Sequence, residues 1–226
     1  MGKRQEIKAK RKRTQQIKQW LTIFSIIIIA VLFVGFLIYP TLQPAPELIM
    51  PASIGTFKST DMSLGDPQAP LTVEVFSDYQ CPACGYYAQD DEQNFIKNYV
   101  QTGQVFYTFR PFNFLGPESY LAAEAAYCAI EQGNFWDYHE MIYYNMAGEN
   151  SGVLDDARLI QYADAIGLDT ADFKACLISN RNVAKIEVDN TYARDIGVTG
   201  TPSFKVGDQL VGYKDFMTTV LEALQD

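Results

Sequence analysis

The sequence predicts an α/β domain with an inserted block of helices, preceded by one N-terminal membrane-spanning helix. Three patterns predict this fold class. Twenty uncharged residues, 20–39, match the thickness of a bilayer's apolar core when helical. Runs of β-forming residues occur early and late in the remaining chain, at 71–76 and 203–212, and helical periodicity dominates between them. Such an order indicates a sheet wrapped by a helical lid.

The N-terminal segment predicts membrane topology. Residues 1–19 carry eight basic side chains against one acid, Glu6. Because positive charge is retained on the cytoplasmic side, we expect residues 1–19 to form a cytoplasmic tail, residues 20–39 a transmembrane anchor, and the rest to lie outside. The apolar run exceeds the core of about 7–15 residues typical of a cleavable signal peptide, and Tyr39-Pro40 closes it. An uncleaved signal anchor in the cell membrane is favoured over a cleaved signal peptide.

The chain beyond the tail is strongly acidic. With eight of the 18 basic and one of the 27 acidic residues in the tail, the remainder has 10 basic and 26 acidic residues, a net charge of −16. This charge favours solubility and opposes binding to nucleic acid, whose phosphates it repels. Three prolines within residues 41–51 indicate an extended linker at 40–53. The folded domain is then expected at 54–226, with a helical insertion at about 113–182.

The elements of this domain are predicted in chain order. The strand at 71–76 precedes Pro82, which suits the first position of a helix reaching Val100. A second strand is predicted at 104–110, ended by Pro111. Helical patterns separated by glycines follow at 119–132, 135–145, 154–166 and 171–179, and a longer one at 183–196 ends before Gly197. A hairpin with strands at 203–206 and 209–212 and a helix at 215–224 close the chain.

Cys81 and Cys84 form a C-x-x-C pair between the first strand and its helix. Two thiols at this spacing can hold or release a disulfide. At a helix N-terminus the free N–H groups and the dipole stabilise a thiolate, so we expect a lowered pKa for Cys81 and a more buried Cys84. One alternative is half a zinc site completed by Cys128, Cys176 or His139, and another is a structural disulfide, which stabilises little over so short a loop. The redox interpretation is favoured, and neither a metal nor an organic cofactor is expected.

Two further cysteines, Cys128 and Cys176, lie in the predicted helical block. Outside the cytoplasmic membrane thiols meet an oxidising environment, where an even count of four favours two disulfides. A Cys128–Cys176 bond would close a loop of about 49 residues and stabilise the fold by roughly 4 kcal/mol in the chain-entropy model. We expect this bond to be structural. Two buried free thiols are the alternative.

Three segments in order resemble those of the DsbA-like thioredoxin-fold thiol:disulfide oxidoreductases. They are VFSDYQCPAC at 75–84, QGNFWDYH at 132–139 and GVTGTPSF at 197–204, and the resemblance covers residues 64–226. It implies a thioredoxin-like fold whose inserted helical subdomain contains the second segment. His139, among aromatic residues in a helical pattern, is expected in the core or lid rather than in the site.

The resemblance also implies roles for single residues. Thr201 and Pro202 would dock an extended substrate beside Cys81 and Cys84, with a cis bond before the proline; by local pattern alone these two residues could form an ordinary turn. Glu74 would be the buried acid beneath the inner cysteine, with a raised pKa that allows proton exchange with Cys84. By strand alternation alone Glu74 could instead be a solvent-facing acid.

The activity that the resemblance implies is disulfide introduction into exported proteins by dithiol–disulfide exchange. A quinone-linked membrane partner of the DsbB or vitamin K epoxide reductase type would reoxidise the protein. The absence of a dimerisation segment between Pro40 and Leu64 favours an oxidase over an isomerase, and a monomer is expected. Pro82-Ala83 lacks the histidine of the best-known DsbA motif, and Thr201 occurs in isomerase-type relatives. An isomerase, a reductase, or a non-catalytic membrane-tethered chaperone or binding module therefore stay as alternatives.

Overall fold

The computed structural model describes residues 3–38, 47–57, 59 and 61–225, which fall into the units Met1–Glu47 and Leu48–Asp226. The described residues of the first unit form one α-helix, α1 (Lys3–Ile38). Within it Gln16–Ile38 is long and apolar enough to cross a membrane, and none of its most apolar stretch is buried. The predicted end of the anchor at residue 39 and residues 40–46 of the predicted linker lie outside the described residues.

The second unit is built on a five-stranded sheet. Its strands are β1 (Ser63–Leu64), β2 (Leu71–Ser77), β3 (Val105–Pro111), β4 (Ser203–Val206) and β5 (Gln209–Gly212), in the spatial order β1-β3-β2-β4-β5. The central pair β2 and β3 is parallel, and all other neighbours are antiparallel. Most residues of the two central strands are buried, which accounts for their mainly apolar sequences.

Helices cover both faces of this sheet. The helix α2, residues 82–100, follows β2 and alternates between α-helical and π-helical hydrogen bonding. Five helices separate β3 from β4, and one follows β5: α3 (Pro117–Glu131), α4 (Phe135–Asn145), α5 (Asp156–Ala165), α6 (Thr170–Ser179), α7 (Val183–Asp195) and α8 (Tyr213–Ala223). The predicted helices agree with α3 to α8 to within two residues at each end. Only the short β1 has no counterpart in the sequence predictions, because two residues are too few for a periodic pattern.

The folded unit begins at Leu48, six residues before the predicted boundary, because the end of the predicted linker packs on α4. The backbone N–H of Ile49 donates to Oδ1 of Asn145 at 2.8 Å, and Nδ2 of Asn145 donates back to the carbonyl of Ile49 at 2.8 Å. Further along, the Ser53 hydroxyl donates to the carboxylate of Glu140. We call residues 48–57 the strap. The proline-rich sequence of this segment predicts a linker and does not indicate that side chains of α4 bind it.

Glu140 makes the stability of the folded unit dependent on pH. Burial raises the pKa of Glu140 to about 7, against the opposing hydrogen bond from Ser53. A carboxyl with a folded-state pKa above its unfolded value binds more protons when folded, so stability falls as the pH rises towards that folded-state value. We expect this group to lower the free energy of unfolding by up to about 3 kcal/mol between pH 4.5 and 7, and Glu140→Gln to remove that decrease. Urea unfolding of both proteins across this range measures it; parallel pH profiles would contradict the assignment.

Candidate active site

Cys81 and Cys84 lie at the start of α2, as the sequence predicts. Pro82 is the first residue of the helix, and the N–H of Cys81 donates to the carbonyl of Asp78 at 3.0 Å, which fixes the turn out of β2. The Cys81 side chain is at the surface edge of the core, 8% exposed, whereas Cys84 is fully buried. Both are free thiols in this structure. The outer and inner positions of the two sulfurs are therefore those that the sequence predicts.

The two thiols have opposite pKa shifts. The hydrogen bond from Cys84 is the largest influence on Cys81 and lowers its pKa to about 6; burial opposes this, and the backbone N–H groups of Cys84 and Ala83 support it. Burial raises the pKa of Cys84 well above its ordinary value, and the neighbouring Cys81 raises it further. At neutral pH Cys81 is consequently the thiolate, and Cys84 keeps its proton and donates it to the hydrogen bond.

Thr201 and Pro202 lie beside Cys81, although 120 residues separate them from it in the chain. The bond between Thr201 and Pro202 is cis, and Sγ of Cys81 lies 3.3 Å from the carbonyl oxygen of Thr201, to which it donates when the thiol is protonated. The Thr201 hydroxyl is buried and has no hydrogen-bond partner of its own in the part of the chain that the structure describes. When Cys81 is a thiolate, this hydroxyl stabilises the charge and contributes to the lowered pKa.

Glu74 is buried, but the prediction of a raised pKa is wrong. Its carboxylate accepts hydrogen bonds from Arg110 Nε at 2.8 Å and from the Tyr192 hydroxyl at 2.7 Å, and it lies 3.3 Å from Lys205 Nζ. Burial raises the pKa of Glu74, but the hydrogen bonds from Tyr192 and Arg110 and the charges of Arg110 and Lys205 outweigh it and lower the pKa. Glu74 is therefore ionised at neutral pH and has no proton to give to Cys84.

The position of Glu74 in β2 explains its partners. Neighbouring strand residues point to opposite faces, and Val73 and Val75 belong to the larger core together with Cys84. Phe76, two residues after Glu74, belongs instead to a smaller core that includes residues of α7. The carboxylate shares this second face, where Tyr192 of α7 meets it. Glu74 thus lies in β2 on the face opposite Cys84, not beneath that cysteine as the resemblance implies, and its partners on β3, β4 and α7 decide its charge.

Cys128 and Cys176 are joined by a disulfide between α3 and α6, with 5.8 Å between their Cα atoms. Both side chains are 1% exposed. The buried carboxylate of Glu124 lies beside them and accepts a hydrogen bond from the N–H of Asn182 at 3.0 Å. Because the sulfurs are bonded to each other, they offer no thiolates to a metal ion, and they are not available to complete a zinc site with Cys81 and Cys84.

The third zinc candidate, His139, belongs to a buried polar cluster that the sequence does not predict. Its Nε2 lies 2.9 Å from a carboxylate oxygen of Glu92, which also accepts a hydrogen bond from the Tyr107 hydroxyl at 2.6 Å. The Tyr79 hydroxyl lies 3.4 Å from Nδ1 of His139. All four side chains are at most 3% exposed. The core position expected for His139 is the one observed, but its pairing with α2 spans 47 residues and has no local sequence signal.

Asp78 is a positioning residue that sequence reasoning missed. It is fully buried, and its carboxylate accepts hydrogen bonds from the N–H groups of Phe114 at 3.0 Å and Leu115 at 3.2 Å and from the Ser119 hydroxyl at 2.6 Å. Asp78 thereby joins the turn before Cys81 to the loop after β3 and the start of α3. Its place within the segment 75–84 was the available signal, since a charged residue beside a buried strand requires partners.

Comparison with known proteins relates this site to a family. The sequence family described as Thioredoxin matches residues 58–226. The probable disulfide bond formation protein D of Bacillus anthracis is 30% identical over 156 residues, which cover 67% of this chain and 72% of that protein. The crystal structure of oxidised BdbD from Bacillus subtilis has the same fold, with a TM-score of 0.68 and 23% identity over 75% of this chain and 97% of BdbD.

A second kind of relative is much longer than this chain. The Na(+)/H(+) antiporter NhaA 3 of Salinispora tropica is 32% identical over 162 residues, which cover 72% of this chain but 24% of the antiporter. This chain thus spans about a quarter of the length of the antiporter that it matches. A match to that share of its length carries no conclusion about ion transport here.

Proposed function

We propose that this chain, which belongs to the thioredoxin family as a DsbA-like thiol:disulfide oxidoreductase, introduces disulfides into exported proteins through Cys81 and Cys84. The observation that carries the proposal is the pair of opposite pKa shifts. A pKa of about 6 for Cys81 stabilises the reduced form at neutral pH as a thiolate. Stabilising the dithiol makes the disulfide a better oxidant, because the same free energy favours its reduction.

The proposed reaction has two exchange steps. A substrate thiolate attacks Sγ of Cys81 in the Cys81–Cys84 disulfide, the bond between the two cysteines breaks, and Cys84 leaves with the electron pair. Its raised pKa means that Cys84 then takes up a proton. A second substrate thiolate attacks the substrate sulfur of the mixed disulfide, and Cys81 leaves as the thiolate that its surroundings favour. The substrate has lost two electrons and two thiol protons, and the protein has gained the two electrons.

Thr201 and Pro202 are the proposed docking segment for the substrate chain. The position of the Thr201 carbonyl, 3.3 Å from Sγ of Cys81, supports this role because a substrate bonded to that sulfur must pass beside it. Proline has no N–H, so this segment presents carbonyl groups to an extended chain. Cys128–Cys176 is proposed to be structural, since both sulfurs are buried away from solvent. Glu74 is left out of the proton transfers because it is ionised.

The proposed location is the outer face of the cell membrane, with the N-terminus cytoplasmic. The apolar length of Gln16–Ile38 and the basic residues before it support this topology. The proposed partners are cysteine-containing exported proteins and a quinone-linked membrane reoxidase, which would accept two electrons for each disulfide made. The chain is proposed to act as a monomer.

The direction of electron flow separates this proposal from a reductase. The redox equilibrium of Cys81 and Cys84 with glutathione tests it. A reduction potential near or above that of the glutathione pool supports an oxidase, whereas a value far below it would favour a reductase or an inert disulfide.

A further inference from the structure

The buried surroundings of Cys128 and Cys176 contain a third group that can bind a metal ion. A carboxylate oxygen of Glu124 and the two sulfurs all lie within 4.8 Å of one another. All three side chains are at most 1% exposed. In the disulfide the sulfurs offer no thiolates, but every chain is synthesised with these two cysteines as thiols. The reduced chain therefore places two thiols and a carboxyl group together in its core.

Only one of the two carboxylate oxygens of Glu124 has a partner. Oε1 accepts hydrogen bonds from the backbone N–H of Asn182 at 3.0 Å and from Nδ2 of Asn182 at 3.1 Å. Oε2 is buried and has no hydrogen-bond partner among the residues that the structure describes. A buried carboxylate oxygen without a partner costs free energy, because it has lost its hydration and gained no bond in return. A cation bound between this carboxylate and the sulfurs would supply the missing partner.

The distances suit a tetrahedral zinc ion. Zinc binds thiolate sulfur at about 2.3 Å and carboxylate oxygen at about 2.0–2.2 Å, so its tetrahedral ligand atoms lie roughly 3.6–3.8 Å apart. The three atoms are already within 4.8 Å of one another, and the Cα atoms of Cys128 and Cys176 are 5.8 Å apart. In the reduced chain, rotation about the cysteine side-chain bonds brings the sulfurs to this separation while α3 and α6 stay in place. A fourth position is left for water, as in other zinc sites with three protein ligands.

The ligand types select zinc over other common cations. Ca²⁺ and Mg²⁺ take oxygen ligands, so two sulfurs disfavour them. Thiolates favour zinc, which also accepts a carboxylate. Two thiolates and one carboxylate carry three negative charges, of which Zn²⁺ neutralises two.

The residues around the three ligands complete the site. Nδ2 of Asn182 lies 3.5 Å from Sγ of Cys176 and 4.0 Å from Sγ of Cys128. Oδ1 of Asn182 accepts a hydrogen bond from Nζ of Lys185 at 2.8 Å. The amide thus presents N–H groups to the sulfurs, and the ammonium group behind it opposes the remaining negative charge. Such surrounding groups orient metal ligands and stabilise their charged forms.

We propose that the reduced chain binds one zinc ion through Cys128, Cys176 and Glu124, and that the ion holds α3 and α6 together until the disulfide forms. On binding, the two thiols release their protons and form two Zn–S bonds. Formation of the disulfide then takes two electrons from the sulfurs and releases the ion. The electrons go to the disulfide of another thiol:disulfide oxidoreductase molecule, which takes up two protons and becomes a dithiol. Because the site is buried, the ion enters before the two helices have closed, in a binding step that is coupled to folding.

Cobalt and zinc titrations of the reduced protein test the proposal. The full-length variant Cys81→Ser/Cys84→Ala, in lipid nanodiscs, has Cys128 and Cys176 as its only thiols once reduced. It is reduced with an uncharged phosphine, freed of the reductant in the absence of air, and titrated with Co²⁺, whose thiolate complexes absorb in the near ultraviolet. We expect this parent variant to bind one Co²⁺ per chain through sulfur, and one equivalent of Zn²⁺ to displace it.

Two further variants of this parent show whether the proposed ligands bind the ion. Glu124→Gln keeps the shape of the side chain and removes its charge, and we expect it to weaken zinc binding at least about tenfold. Cys128→Ala/Cys176→Ala is expected to give no thiolate–cobalt absorption. The matched control is Glu222→Gln, which changes an exposed acid of α8 and is expected to leave the zinc affinity unchanged. The parent with its disulfide intact is a second control, and we expect it to bind no Co²⁺ through sulfur.

X-ray absorption spectroscopy of the zinc-loaded parent is a readout that needs no substitution at Glu124. We expect two sulfur ligands at about 2.3 Å and oxygen ligands at about 2.0–2.2 Å. Four sulfur ligands would show that two chains share the ion and would overturn the proposal. So would a reduced parent without thiolate–cobalt absorption, a Glu124→Gln variant that binds zinc as tightly as the parent, or a midpoint temperature of the reduced parent that zinc does not raise. None of these measurements uses disulfide exchange, so their outcome does not bear on the proposed function.

Discussion

Replacement of Cys84 by Ala is expected to trap client proteins on Cys81 as stable mixed disulfides. With a pKa of about 6, Cys81 is about nine-tenths thiolate at pH 7, so it attacks client disulfides readily. The second thiol that would release the client is missing in this variant, so the mixed disulfide persists. Replacement of Cys81 by Ser is expected to reduce exchange to the uncatalysed background, since the buried Cys84 with its raised pKa cannot replace it as nucleophile.

Capture is measured by non-reducing electrophoresis followed by mass spectrometry of the bonded cysteines. The double variant Cys81→Ser/Cys84→Ala is the matched control, because it lacks both thiols of the motif. We expect every captured peptide to be bonded to Cys81 and none to be found in the control. Capture through Cys84 in the Cys81→Ser variant would contradict the assignment of the outer sulfur as the attacking group.

Removal of the second disulfide is expected to cost about 4 kcal/mol of the free energy of unfolding. The bond spans 48 residues between α3 and α6, and closing such a loop restricts the unfolded chain by about this amount. The variant Cys128→Ala/Cys176→Ala removes both thiols and so avoids leaving an unpaired buried cysteine. A loss of this size is a large fraction of the stability of a typical domain.

Urea unfolding of the unaltered protein and the double variant measures this cost. The reduction potential of Cys81 and Cys84 serves as the second readout, and we expect it to be unchanged because neither Cys128 nor Cys176 contacts the motif among the hydrogen bonds described for the site. A stability loss below about 1 kcal/mol would contradict the structural role. A shifted potential would show that the second disulfide exchanges electrons with the first.

Local sequence patterns predicted many of the helices and strands. Pro82 marks the start of α2, Gly207 marks the hairpin of β4 and β5, and the helical periods give α3 to α8 to within two residues. Each of these depends on neighbours within a few positions of the chain, which is the range over which a sequence is directly readable. The packing of the strap was not predicted, because its partners Asn145 and Glu140 are about ninety residues away along the chain.

In the site, too, features that depend on neighbouring residues were predictable and those that depend on distant contacts were not. Cys81 and Cys84 are visible as a motif, but the approach of Thr201 across 120 residues follows from resemblance and not from any local rule. The charge state of Glu74 was not predictable from the sequence. Its strand was predictable and its burial followed only from the resemblance, whereas its charge depends on Arg110 and on side chains from β4 and α7 that converge only in the folded chain. The pKa of a buried group is decided by such partners.

The reduction potential of the Cys81–Cys84 pair tests the central claim most directly. Thioredoxin combines a cysteine pKa of about 7 with a potential of about −270 mV, and DsbA combines about 3.5 with about −120 mV. The lowered pKa of Cys81 therefore predicts a potential above that of thioredoxin, towards that of DsbA. Equilibration of the full-length protein with glutathione buffers, with the thiols counted by alkylation, gives the value. A potential above about −270 mV supports the oxidase, and one at or below that value contradicts it.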